Sequence, residues 1–172
     1  MEHDLDYRDQ VFINFRDVLW RWPDHGFRWV DLKRFCLPRP AQSDTQILDA
    51  LIRHDHFRDD YAGGDVDPAG TRHGPYWLDR ISADAYEPVD ETTATYALDF
   101  WAGQYGELPQ ALKVALERDV HALVRAATSR YRLKALGNGA LHDWGGVHGE
   151  FHELVVIDRI TSSLALIVAA DD

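Results

Sequence analysis

One cysteine, one methionine and three lysines are scattered through 172 residues, and each scarcity excludes something. A lone Cys36 closes no internal disulfide, so the expected setting is a reducing, bacterial cytoplasm. Long hydrophobic runs are missing as well. The longest, Leu164 to Ala170, is far too short to span a bilayer. The first ten residues are polar and acidic, without the apolar stretch of a secretion signal. Positive charge is also scarce, with 18 Lys and Arg against 29 Asp and Glu and a formal net charge of −11. Such a field repels phosphate backbones and anionic lipids, which argues against nucleic acid and membrane surfaces as partners. It favours a basic protein partner or simply serves solubility, the commoner reason for such a charge.

Nucleotide-binding and calcium-binding signatures are absent too. No G-x-x-x-x-G-K-S/T or G-x-G-x-x-G occurs, and the glycines at 137, 139, 145 and 146 precede strands, whereas phosphate loops feed a helix N-terminus. Asp65-x-Asp67-x-x-Gly70 starts like a calcium loop. It then places Ala69 and Tyr76 where ligands are required, so it reads as a turn. Cys36 reads as core, and no serine sits in a nucleophile elbow.

What is present is a globular composition: 45% apolar residues and 12% aromatics, including six tryptophans. That suffices for a core without staples, and residues 1–172 read as a single α+β domain. Phe12, Phe15, Leu19 and Trp22 fit one face of a helix running from about Leu5 to Pro23. Val11 to Phe15 alone would also suit a strand, but the longer pattern favours helix. Trp29, Leu32, Phe35 and Cys36 also have helical spacing. Ser43-Asp44-Thr45-Gln46 forms a capping box opening a helix through Ile47, Leu48 and Leu51 toward Tyr61. Further helices are expected over 93–103 and, most clearly, from Leu108 to Thr128, with Pro109 at its first turn. The period then changes to two. Arg130, Arg132 and Lys134 form the basic outer face of a strand, expected to pair with acids on a neighbouring element. Asn138-Gly139 signals a hairpin turn, and 151–158 with 164–169 form a second hairpin, apolar on both faces and therefore covered on both. The expected fold is a helical N-terminal two-thirds packed on a three- to four-stranded antiparallel C-terminal sheet.

The run His148-Gly149-Glu150-Phe151-His152-Glu153 carries the sharpest chemical suggestion. In an extended chain His148, Glu150 and His152 share a face, and two imidazoles with a carboxylate suit one divalent transition metal. Asp143 or His142, just upstream, suits a further ligand or a general base, with Asp143 the candidate base. A bend at Gly149 would take His148 off that face. A second cluster, His54-Asp55-His56 with Asp59, Asp60 and Tyr61, reads most simply as solvated charge near a helix end. Trp144, between Asp143 and two glycines, is expected to be exposed.

The Leu108-Pro109 start of the long helix resembles a segment of the SUKH-type immunity proteins over a few residues. The helix-then-hairpin order departs from that family, and no site residue carries across. Two functions fit the sequence. The first is a non-catalytic acidic protein-binding module, of immunity or regulatory type, that engages a basic protein. The alternative is a small metal-dependent hydrolase or oxygenase using His148, Glu150 and His152.

Overall fold

The computed structural model describes residues 5–15, 27–38 and 42–171. Its centre is one six-stranded antiparallel sheet of spatial order β1-β2-β8-β7-β6-β5. The strands are β1 (Asp6–Asn14), β2 (Arg28–Cys36), β5 (Tyr86–Pro88), β6 (Ser129–Leu133), β7 (Glu150–Asp158) and β8 (Ser163–Asp171). A separate two-stranded ribbon joins β3 (Arg72–His73) to β4 (Tyr76–Trp77). The helices are α1 (Asp44–Arg53), α2 (Glu91–Gly103), α3 (Gln110–Leu116) and α4 (Ala122–Ala126). A π-helical turn, Glu117–His121, makes α3 and α4 one continuous rod.

This overturns the expected helical N-terminal two-thirds. Asp6–Asn14 and Arg28–Cys36 are paired strands, β2 pairs with β8, and the sheet therefore draws on both ends of the chain. Leu19 and Trp22, which completed the first helical pattern, lie outside the described residues. Within β1 the alternation is plain: Val11 and Ile13 pack on one core, while Gln10, Phe12 and Asn14 point to the other face. In β2 almost every residue is buried, so the period-two signal disappears. A strand covered on both faces looks like any apolar run, and Trp29, Leu32 and Phe35 happened to fit a helix.

Several local readings hold. Ser43 Oγ accepts from Gln46 N at 3.2 Å while Gln46 Oε1 accepts from Ser43 N at 2.8 Å, completing the capping box. That helix ends at Arg53, well short of Tyr61. Asp90 caps α2 through Thr93 N at 2.7 Å. Pro109 stands at the N-cap of α3. The terminal hairpin forms β7 and β8, central in the sheet and apolar on both faces. Arg132 of β6 pairs with Glu87 of β5 at 2.7 Å, the acid partner expected on a neighbouring element. Asn138-Gly139, by contrast, makes a 3-10 turn within the long β6–β7 connection, and no tight hairpin forms there.

The sheet is the middle layer of three. On its helical face, Leu98 and Trp101 of α2 and Leu112, Leu116, Val120 and Val124 of the rod pack on Val30, Leu32, Leu154, Val156 and Ile167. The opposite, wrapped face is covered by α1 and the irregular segment 54–85. There Ile47, Leu51, Phe57 and Ile81 meet Phe35, Val155, Ile157 and Leu166. Both sheet edges resist strand addition. β1 carries exposed charges and a register break between Tyr7 and Asp9, and β5 is three residues long and contains Pro88. Among the described residues no helix is long and apolar enough to cross a membrane.

Candidate functional site

The pleat of β7 divides the run that looked most like a metal site. Glu150 and His152 face the helical side, with His152 Nε2 4.0 Å from Glu150 Oε1, and Gln104 Nε2 donates to Glu150 Oε2 at 2.5 Å. His148 precedes the strand and turns to the wrapped side, where its Nε2–H donates to Asp60 O at 2.9 Å beside Trp29 and Phe151. The bend at Gly149 therefore separates His148 from the other two. Asp143 is 82% exposed at its side chain and lies 4.0 Å from Arg72. His142 is buried, accepting from Trp144 N at 3.0 Å through Nδ1 and donating to Gly74 O at 2.6 Å through Nε2. Among the described residues no group of three or more His, Cys, Asp or Glu is placed to hold a metal ion. Trp144 is exposed, as expected.

The chemistry the sequence did not advertise lies on the wrapped face, where β1 and β2 meet the segment after α1. Lys33 of β2 is fully buried, and its ammonium spends its three protons on Asp31 Oδ2 (2.9 Å), Asp59 Oδ2 (2.9 Å) and Tyr61 OH (2.8 Å). Gln10 of β1 donates to the other Asp31 oxygen. Asp59 Oδ1 accepts from Tyr61 N at 2.8 Å. This last bond holds Tyr61 in the left-handed region at φ 56. For a bulky side chain that conformation costs on the order of 1–3 kcal/mol, and such strain gathers at functional sites. Burial first, then the neighbouring Asp31 and Asp59 charges, drives the Tyr61 phenol well above its ordinary pKa, so it stays protonated.

These groups form the floor of a cavity of about 490 Å³. Asp31 and Asp59, only 1% and 5% exposed, line it together with Asp65 from the rim, and among the described residues no Lys, Arg or His does. Among the described residues, Lys33 beneath sets one positive charge against these three carboxylates. Its walls are aromatic. Trp29 stacks on Tyr61 with ring centres 5.5 Å apart, Phe12 lies 5.8 Å from Trp29, and Phe27 completes the lining. The arrangement suits a cation, which acidic oxygens and aromatic faces both attract.

A second buried polar group stands beside it on the same face. Glu153, from the unremarked end of the sequence run, takes contacts from His73 Nε2 and the Tyr86 hydroxyl. The other His73 nitrogen donates to Phe57 O at 2.6 Å. Burial, and then Glu153, pushes the Tyr86 phenol well above its usual range, which keeps its proton available for that carboxylate. The two groups are joined by backbone: Gly74 N donates to Asp59 O at 2.8 Å. Gly74 must be glycine, since its φ is +52 and an added Cβ would sit 2.4 Å from the Phe151 ring. Asp59 and Tyr61 were visible in the sequence as part of a surface-like cluster. Their burial depends on Lys33, whose only local signal is a lysine two residues after an aspartate in an otherwise apolar run.

No family model and no curated protein matches the chain. Among solved structures it is similar to citrus MAF1 in two crystal forms. In space group C 2 2 21 the identity is 11% and the TM-score 0.41, over 87% of this chain and 93% of that one. In space group P 31 2 1 the values are 10% and 0.42, over 91% and 93%. Similarity at this level transfers no function, and the functional reading of this chain rests on its own residues.

Proposed function

We propose that the chain is a non-catalytic acidic protein-binding module, of immunity or regulatory type, whose partner is a basic protein. The observation that supports this most is the wrapped-face cavity, lined by three aspartates and, among the described residues, by no cationic side chain. A net charge of −11 adds long-range attraction that speeds encounter with a basic surface. With both sheet edges guarded, side chains rather than strand pairing make the contact. The test is affinity isolation from the native cell, followed by identification and reconstitution of the complex from purified components. The expected result is a stoichiometric complex with a basic protein, weakening steeply as salt rises. A partner that is acidic, or a complex indifferent to salt, contradicts the reading.

A further inference from the structure

Resting on that reading, we infer that the wrapped-face cavity seats one arginine side chain of the partner, its guanidinium lying against the aromatic rim and reaching the aspartates. Three observations carry it. First, the acids are held in place before any ligand arrives: Lys33 and Gln10 fix Asp31, and Lys33 and Tyr61 N fix Asp59. Each carboxylate keeps unused lone pairs, so a cation meets oriented acceptors without ordering them. Second, Phe12 is 55% exposed beside that charge, a large apolar ring at the mouth of the cavity. A planar guanidinium stacks on such a ring while its edge donates to carboxylates, a combination a compact ammonium cannot match. Third, the volume of about 490 Å³ lies within the usual range for ligand sites and admits the whole side chain. The glycines at the rim, Gly63 and Gly64, leave the approach open, since a Cβ at either would meet nothing within 4 Å.

The experiment is an amide NMR titration of the labelled full chain with N-acetyl-arginine methylamide, its lysine counterpart and the neutral citrulline isostere. Arginine should shift the Trp29 indole and the Gly63 and Gly64 amides, binding about tenfold more tightly than citrulline and more tightly than lysine. Phe12→Ala and Asp65→Asn, both at exposed positions that folding does not need, should each weaken arginine binding about three- to tenfold. Tyr96→Ala, on an exposed face of α2, should leave it unchanged. Equal binding of citrulline, preference for lysine, or shifts confined to other surfaces would overturn the assignment. The two readings fail separately. An isolated basic partner that binds Phe12→Ala and Asp65→Asn at wild-type strength removes the arginine seat and leaves the binding module. Arginine binding without any basic partner does the reverse.

Discussion

The two faces of the sheet are built on different principles. The helical face is a conventional core in which leucines and valines of α2 and the α3–α4 rod meet branched side chains of β2, β7 and β8. Its main buried charge, Arg28, is tied to Asp171 at 3.0 Å and to carbonyls at the end of α2, where a cation complements the helix terminus. The wrapped face instead encloses Lys33, Asp31 and Asp59, and next to them Glu153, His73 and Tyr86. Apolar replacements of buried ion groups are often as stable as the originals, so such groups are poorly explained by stability alone. On the proposed reading, the hydrophobic layers of both faces hold the fold and the polar groups of the wrapped face serve recognition.

Unfolding experiments can break or sharpen this contrast. The largest effect is expected from Lys33→Met, which strands two buried carboxylates and should cost about 3–5 kcal/mol. On the helical face Leu112→Ala should cost about 2–5 kcal/mol through the cavity it leaves, and should spare ligand binding. A Leu112 variant that abolished arginine binding while still folded would blur the division between faces. Tyr86→Phe removes one partner of the buried Glu153 carboxylate and should cost about 1–3 kcal/mol by urea denaturation.

Acid should act through the helical face as well. Burial holds His152 below its ordinary value of 6.5, outweighing the opposing pull of Glu150 and Asp171. Folding therefore favours the neutral ring. That stability is complete above the unfolded pKa and is lost as pH falls from there toward the folded one. Urea midpoints should drop between about pH 7 and 5, and His152→Gln should drop less. The smallest effect is expected at Asp143, the base suggested by sequence. Its exposed side chain predicts that Asp143→Asn changes stability by less than about 0.5 kcal/mol.

Elements with local signals were legible in the sequence: the Ser43 capping box, α2, the long rod, β6 and the terminal hairpin. β1 and β2 were not, because Phe12 and Phe15 mimic a helical step and β2 is buried on both faces, which erases its alternation. Losing those two strands meant losing the site, since Asp31 and Lys33 share a face only in an extended β2 and Gln10 reaches Asp31 only through β1–β2 pairing, with Gln10 opposite Lys33 and Phe12 opposite Asp31. The segment His148 to Glu153 carried the sharpest chemical suggestion in the sequence. Its pleat sends Glu150 and His152 one way and Glu153 the other, so the residue that matters on the wrapped face was the unremarked neighbour. Gly149, already suspect in the sequence, marks where His148 departs.

The most direct test of the division between faces replaces the ionic floor as a unit, with Asp31→Leu, Lys33→Met and Asp59→Asn in one chain. The amide at 59 keeps an acceptor for Tyr61 N, and no buried charge is left unpaired. The account predicts a folded protein within about 2 kcal/mol of wild type, with binding of N-acetyl-arginine methylamide lost. A folded triple variant that still binds it at wild-type strength would contradict the account.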